Sequence, residues 1–272
     1  MRALAEFPRH LRQAVRGVFC DIDDTLTTDG RLTAEAYSAL ESLQCAGCIV
    51  VPVTGRPAGW CDHIARMWPV DGVVGENGAF YFRYDRQKRR MTRRFVDSDE
   101  VRAAHRTRLT QIAAEILAAV PGAAIAADQQ YRESDLAIDF REDVPPLAES
   151  DVQRIVEIMQ TRGLTAKVSS IHVNGWFGTY DKLTMTRTLM REARGVDLDR
   201  ERSRYVFVGD SPNDAPMFEY FPHAIGVANL RVLAARIAHL PAYITRAECG
   251  AGFREAADFI LDSRPPERTS SP

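Results

Sequence analysis

The sequence lacks an apolar run long enough to cross a membrane, which takes about 18 residues, and it lacks the apolar core of a secretory signal peptide. Residues 1–16 carry several arginines instead. The formal net charge is only −2, so no excess charge favours a nucleic acid or a membrane surface as a partner. These absences predict a cytoplasmic protein without a nucleic-acid or membrane partner.

Cysteine is also scarce, and its five copies form an odd count. Such a count is typical of a reducing compartment, where thiols stay free. The segment Cys45-Ala-Gly-Cys48 could suggest a zinc site, but no second pair of ligands accompanies it in the sequence. We therefore interpret these two cysteines as structural residues.

The most informative stretch runs from Gly17 to Leu26 and reads Gly-Val-Phe-Cys-Asp-Ile-Asp-Asp-Thr-Leu. Its apolar start predicts a buried strand of a parallel sheet, and ligands bind beyond the carboxyl ends of such strands. Asp21, Asp23 and Asp24 would then lie in a cleft, where crowded carboxylates repel one another unless a cation such as Mg²⁺ neutralises them. A carboxylate can also act as a nucleophile. The alternative is a solvated acidic turn after a strand.

Three further segments carry residue types that suit phosphate or metal binding at the ends of predicted strands and helices. A hydroxyl with a bare glycine backbone can cradle a phosphate oxygen, lysine is a common phosphate binder, and carboxylates bind cations. Each segment alone could equally be a turn or a surface residue. The residues are Thr54, Gly55 and Arg56 after a strand, Lys182 before a helix, and Asp210 and Asp214 after another strand.

Together these segments resemble the four motifs of the haloacid dehalogenase superfamily, in its Mg²⁺-dependent phosphatase branch. The motifs are Asp21-Ile-Asp-Asp-Thr25, Thr54-Gly-Arg56, Lys182 and Gly209-Asp-Ser-Pro-Asn-Asp214. The large insert between the second and third motifs resembles a type 2 cap. Gly75-Glu-Asn-Gly-Ala79 resembles subfamily IIB, which has an α/β cap and includes Cof-like and sugar-phosphate phosphatases and phosphomannomutases.

The resemblance implies an α/β fold: a doubly wound, Rossmann-like parallel sheet with an inserted α/β cap of the C2 type. Alternating strand and helix patterns on both sides of the insert agree with the crossover units of such a sheet. We expect the core to comprise residues 1–84 and 179–272 and the cap residues 85–178, since 272 residues suit two domains. The Pro-, Ser- and Arg-rich tail after Ser263 is expected to be disordered.

The resemblance also implies a two-step phosphoryl transfer through a covalent intermediate. Asp21 would be the nucleophile, and Asp23 would serve as general acid and then general base. The cofactor would be Mg²⁺, held by the Asp21 carboxylate, the Asp23 backbone carbonyl, Asp210 and Asp214, with Asn213 as an open alternative to direct ligation by Asp214. Thr54, the amide of Gly55 and Lys182 would hold the phosphoryl oxygens.

Substrate selection is expected to come from the cap. Strand alternation predicts that His172, Asn174 and Trp176 share one face, which suits a sugar but equally suits an ordinary polar sheet face. Asn77 lies at the junction between core and cap, where it could contact the substrate, and Arg56 is a further candidate for the same role. Arg132 and Arg141 are weaker candidates for contacts with a second anionic group.

The predicted function is hydrolysis of a small phosphorylated metabolite, foremost a sugar phosphate. Three alternatives stay open at this stage: a phosphomannomutase-like enzyme that returns the phosphoryl group to the sugar, a phosphoglycolate-type phosphatase, and a non-catalytic sugar-phosphate sensor. The presence of every motif side chain that turnover requires argues against the sensor. The sequence does not decide between a monomer and a dimer.

Overall fold

The computed structural model describes residues 1–263, so the expected disorder of the tail concerns residues outside the described part of the chain. The strands are β1 Arg2–Ala3, β2 Gly17–Cys20, β3 Thr27–Thr28, β4 Arg31–Leu32, β5 Ile49–Pro52, β6 Val73–Gly75, β7 Phe80–Asp85, β8 Arg90–Phe95, β9 Ala124–Ile125, β10 Asp135–Asp139, β11 Thr165–Val168, β12 His172–Trp176, β13 Tyr205–Gly209, β14 Ile225–Gly226 and β15 Tyr243–Ile244. The helices are α1 Arg9–Gln13, α2 Ala34–Cys45, α3 Ala58–Met67, α4 Asp99–Ala119, α5 Glu149–Thr161, α6 Lys182–Arg194, α7 Leu198–Glu201, α8 Ala215–Tyr220, α9 Leu230–Leu233 and α10 Cys249–Leu261.

A six-stranded parallel sheet forms the centre of the molecule, in the order β1-β15-β14-β13-β2-β5. From β2 the chain moves to β5 on one side and later returns to β13 on the other side. Strand β2 therefore lies at the point where the winding direction changes, and its carboxyl end opens into the crevice where α/β proteins bind ligands. The motif residues that follow β2, β5 and β13 meet at this edge.

Helices cover both faces of the central sheet because its strands are apolar on both sides. Val18 and Cys20 of β2 pack into one cluster with α2, α3 and α10, whereas Phe19 packs into a second cluster with α6 and α8. Alternate side chains of a strand point to opposite faces, so a continuous apolar run needs a helix layer on each side. The predicted doubly wound α/β fold is confirmed.

A second unit, residues 99–176, lies between the two halves of the core and is called the insert below. Its four-stranded antiparallel sheet has the order β11-β12-β10-β9, and α4 and α5 pack on one face through an apolar cluster of their own. Alternation sends Leu136 and Ile138 towards the helices and leaves Asp135 and Asp139 on the opposite face. The insert therefore presents a polar sheet face that its own helices do not cover.

The hairpin of β7 and β8 pairs with the core strand β6 rather than with the sheet of the insert. The rings of Phe80, Phe82 and Phe95 contact one another, and all three residues pack against the cluster that contains β2. The sequence placed the division between core and cap at residues 84 and 85, within this hairpin. That boundary and the one at residue 178 stay predictions.

The sequence pattern predicts helices from Leu230 to Leu240 and from Phe253 to Leu261, and the structure differs in both. Helix α9 ends at Leu233 and is followed by a short 3₁₀ turn. The chain must turn there to bring β15 into the sheet, and Pro241 cannot continue a helix. Helix α10 begins at Cys249 instead of Phe253, because its glycine-containing first turn can approach the backbone carbonyl of Leu26 closely. Within residues 1–263, no helix is long and apolar enough to cross a membrane.

Gly78 should be the least replaceable residue of the junction between the hairpin and the core. Its φ is +107°, and a Cβ there would lie 2.0 Å from the carbonyl oxygen of Asp181, next to Lys182. A side chain in the left-handed conformation costs about 1–2 kcal/mol by itself. We expect Gly78→Ala to lower the free energy of unfolding by more than this amount. Urea unfolding would measure this loss.

The matched control for this substitution is Gly47→Ala. Gly47 has a φ of +76°, but no atom lies within 4 Å of the position its Cβ would take. Backbone strain should therefore be its main cost. Equal losses of stability in the two variants would contradict the argument that the contact with Asp181 makes Gly78 necessary.

Candidate active site

Three buried carboxylates converge at the carboxyl ends of β2 and β13. Asp21 follows β2 directly, Asp210 follows β13, and Asp214 closes the 3₁₀ turn that precedes α8. Each offers an oxygen, and these three oxygens lie within 4.8 Å of one another. Thr25 donates its hydroxyl to Asp210 Oδ1 at 3.0 Å, which fixes that side chain. The sequence predicted this convergence from the strand ends, and the structure brings the three residues together.

Lys182 partly neutralises the carboxylates. Its Nζ, at the first residue of α6, donates to Asp21 Oδ1 at 2.8 Å and to Asp214 Oδ1 at 2.7 Å. Burial alone would lower the pKa of Lys182, but the two carboxylates outweigh it and raise the pKa. Lys182 is thus a fixed positive charge beside Asp21, as a phosphate-binding lysine must be.

The carboxylates still carry more negative charge than Lys182 can balance. Burial raises the pKa of Asp21 to about 7, with Lys182 opposing this shift and Asp214 adding to it. Burial and the charge of Asp21 also raise the pKa of Asp210 well above its usual range. Hard oxygen donors crowded in this way fit a divalent cation such as Mg²⁺. Asp21, Asp210 and Asp214 would hold it, whereas the side chain of Asp23 is bonded to Arg56.

The turn after β5 places Thr54 and Gly55 close to the junction with the insert. Thr54 is fully buried, and its hydroxyl accepts the amide N–H of Arg56 at 3.0 Å. A Cβ on Gly55 would lie 3.1 Å from Nδ2 of Asn77, so the glycine permits the close approach of this amide. Asn77 is 3% exposed, and within residues 1–263 no group accepts a hydrogen bond from its Nδ2. The phosphate-binding roles of Thr54 and Gly55 and the substrate role of Asn77 stay predictions.

Asp23 and Arg56 form a close ion pair. Nε of Arg56 donates to both carboxylate oxygens of Asp23, at 3.0 and 3.1 Å, and the guanidinium also bonds Glu142 and Asp128 of the insert. The sequence suggested Arg56 as a substrate contact. In the structure its polar atoms are bonded to carboxylates, and it connects the core to the insert.

Two of the three residues expected on one face of β12 line the confined cavity beside Asp21. Asn174 donates to Asp135 Oδ2 at 3.0 Å, and Nε2 of His172 lies 2.9 Å from Glu142 Oε2. Trp176 lies away from them because its ring stacks on Tyr180 and its Nε1 donates to the Tyr180 carbonyl at 3.2 Å. The predicted substrate surface is therefore divided, and the substrate roles of its members stay predictions.

A second buried network joins the insert to the core. Nη1 of Arg132 donates to the carbonyl of Gly55 at 2.9 Å and to Asp135 at 3.0 Å. Glu76 accepts N–H groups from Ala58 in the core, at 3.0 Å, and from the insert backbone. Burial raises the pKa of Glu76 to about 8, and the charge of Asp135 adds to this effect.

The sequence did not identify the acidic side chains of the insert that surround the two arginines. They are Asp128, Asp135 and Glu142. Each lies in a polar stretch that resembles a solvated loop or a strand end, and no spacing within the chain marks it. Asp128 and Asp135 pair locally with Arg132, four and three residues away, whereas the pairing of Asp128 and Glu142 with Arg56 is long-range.

Residues 18–143, the segment that begins in β2 and carries the first two motifs, match the family model of haloacid dehalogenase-like hydrolases. Within these residues the chain is therefore similar to that family. A search of curated protein sequences finds no match.

Solved structures show the same fold as this protein at low sequence identity. A Thermoplasma acidophilum protein has 17% identity and a TM-score of 0.68, with 91% of this chain and 98% of that chain covered. The sucrose-phosphatase of Synechocystis sp. PCC6803, solved with sucrose and phosphate, has 14% identity, a TM-score of 0.62 and the same coverage. A sugar phosphatase of subclass IIB of the superfamily has 14% identity and a TM-score of 0.56, with 91% and 97% covered.

Binding of Mg²⁺ should stabilise this protein, because the cation relieves the repulsion among Asp21, Asp210 and Asp214. At a concentration of one hundred times Kd, the gain would be about 2.7 kcal/mol. We expect Mg²⁺ to raise Tm, excess chelator to reverse the rise, and Asp210→Asn to abolish it. Calorimetry would measure all three.

Asp29→Asn is the control for the cation experiment. Asp29 is an exposed carboxylate in the turn between β3 and β4, so its variant should keep the full response to Mg²⁺. A rise in Tm of the same size in Asp210→Asn would show that the cation binds elsewhere.

Proposed function

We propose that this hydrolase is a Mg²⁺-dependent phosphatase that cleaves a small phosphate monoester, a sugar phosphate, through an aspartyl-phosphate intermediate. The observation that carries the proposal is the geometry around Asp21. Its carboxylate lies at the switch point of the sheet, 2.8 Å from Nζ of Lys182 and within 4.8 Å of the cation-binding carboxylates. A nucleophile, a phosphate-binding cation and a metal site thus share one buried crevice.

In the first step, Asp21 attacks phosphorus and Asp23 gives a proton to the leaving oxygen. In the second step, Asp23 takes a proton from the water that hydrolyses the aspartyl phosphate. Lys182, Thr54 and the amide of Gly55 hold the other phosphoryl oxygens, where charge must be stabilised during transfer. Mg²⁺, when bound, would shield the anionic nucleophile from the anionic phosphate.

Two observations support a sugar as the leaving group. The cavity beside Asp21 is lined largely by polar side chains, including His172, Asn174 and Ser170, which suits hydroxyl groups. A sucrose-phosphatase and a subclass IIB sugar phosphatase are among the proteins with the same fold. We propose a small phosphorylated metabolite in the cytoplasm as the partner, and no nucleic acid or membrane.

Asp21→Asn should abolish turnover without unfolding the protein. An amide has nearly the size of a carboxylate, but it is a poor nucleophile and a weaker cation ligand. Phosphate release and Tm should be measured together, with Asp29→Asn as the matched control. In a variant that keeps more than about a tenth of the wild-type rate, the barrier has risen by less than ~1.4 kcal/mol, and the nucleophile would then be another group.

A panel of phosphate esters with Mg²⁺ tests the substrate class. It should include sugar phosphates, phosphoglycolate and a small aryl phosphate, and it should record both inorganic phosphate and isomerised sugar. We expect inorganic phosphate as the product and the highest kcat/KM for a sugar phosphate. Isomerised sugar would identify a mutase instead, and binding without any product would identify a sensor.

A further inference from the structure

Arg56 joins the core to the insert beside the candidate nucleophile. Its side chain is only 6% exposed. Nη2 donates to Asp23 Oδ1 at 2.8 Å and to Glu142 Oε1 at 2.7 Å, while Nε bonds both oxygens of Asp23. One guanidinium therefore holds a core carboxylate and an insert carboxylate together. The bond to Glu142 exists only while the insert lies on the core.

Glu142 is oriented for this bond by its neighbours in the insert. Asp139, at the end of β10, accepts the amide N–H of Glu142 at 2.7 Å and that of Asp143 at 2.8 Å. Oε2 of Glu142 lies 2.9 Å from Nε2 of His172. Burial would raise the pKa of Glu142, but the neighbouring His172 and Arg56 outweigh it and lower the pKa to about 2. Glu142 thus meets Arg56 as an ionised carboxylate.

The space beside the reacting carboxylates is very small in this arrangement. In the cavity lined by Asp21, Asp23 and Arg56, the volume that the centre of a water molecule can occupy is about 10 Å³. One water needs roughly 10–15 Å³ on this measure. Larger clefts beside Asp210 and Lys182 offer about 350 and 260 Å³, but neither is lined by Asp21 or Asp23. A molecule larger than water can reach these two carboxylates only if the insert moves away from the core.

We propose that Glu142 is a positioning residue that selects water as the phosphoryl acceptor: its bond to Arg56 holds the insert so close to Asp21 and Asp23 that an alcohol is excluded. The inference rests on the proposed aspartyl-phosphate chemistry. A water needs the least widening of the cavity, whereas an alcohol requires the Glu142–Arg56 bond to break. The bond therefore favours hydrolysis over return of the phosphoryl group to a sugar.

The step that is selected is the hydrolysis of phosphorylated Asp21. The water oxygen forms a bond to phosphorus, and the bond between phosphorus and the Asp21 oxygen breaks, with its electron pair returning to the carboxylate. A water proton passes to Asp23, whose side chain lies in the same cavity. An alcohol acceptor would follow the same path and yield a new phosphate ester in place of inorganic phosphate.

The partition between the two acceptors measures this selection. The full chain is given para-nitrophenyl phosphate as phosphoryl donor, Mg²⁺, and a fixed high concentration of glycerol. Nitrophenol reports every turnover, inorganic phosphate reports transfer to water, and glycerol phosphate, measured by phosphorus NMR, reports transfer to the alcohol. We expect Glu142→Gln to raise the ratio of glycerol transfer to hydrolysis roughly tenfold, which corresponds to about 1.4 kcal/mol. The ratio is independent of the fraction of folded enzyme.

Glu149→Gln is the matched control, because Glu149 also pairs with a core arginine, Arg236, at 3.1 Å, but on the exposed surface and away from the cavity. It should keep the wild-type ratio. Glu142→Asp keeps the charge and should restore part of the selection.

Unchanged ratios in both Glu142 variants, with phosphate still released, would overturn this inference and leave the proposed function intact. Complete loss of turnover in both variants would overturn it too, because a residue that selects the acceptor is not required for transfer itself. A wild-type protein that neither releases nor transfers phosphate would refute the proposed function and this inference with it.

Discussion

The candidate site depends on one electrostatic balance, between Lys182 and the carboxylates buried at the ends of β2 and β13. Buried like charges are unfavourable unless each finds a partner. Lys182 bonds Asp21 and Asp214. Asp210 accepts a hydrogen bond from the hydroxyl of Thr25, and the charge of Asp21 beside it is unfavourable for its ionised form. This incomplete compensation is the basis of the proposed cation site, where the cation and Lys182 together would attract a phosphate.

The same kind of balance determines how the insert lies on the core. Arg56 and Arg132 each bond carboxylates of the insert together with a core group, Asp23 or the carbonyl of Gly55. The apolar cluster of the insert shares no residue with the two clusters of the core. The interior of the insert is therefore separate from the interior of the core. At its edge, however, Trp176 packs in a core cluster, so apolar packing at Trp176 and the polar bonds of Arg56 and Arg132 both hold the insert on the core.

Much of the core was predictable because its signals are local. An apolar run predicts a buried strand, and the residue after its last position must lie at the carboxyl edge of the sheet. This reasoning placed Asp21, Thr54 and Asp210 correctly at the ends of β2, β5 and β13. It failed where packing decides the boundary: α9 ends early because the chain must return to β15, and α10 begins early because glycines allow close helix packing.

The sequence by itself determined the α/β fold, the carboxylates at the strand ends and the family resemblance, since each depends on residues that are neighbours along the chain. Only the tertiary structure decided which polar groups of the insert meet the core. Strand alternation put His172, Asn174 and Trp176 on one face, yet Trp176 packs against Tyr180 while the other two face the cavity. Glu142 lies far from Arg56 in sequence, and no local pattern marks their contact. Such contacts follow from the complementary charge of surfaces that come together only after each unit has folded.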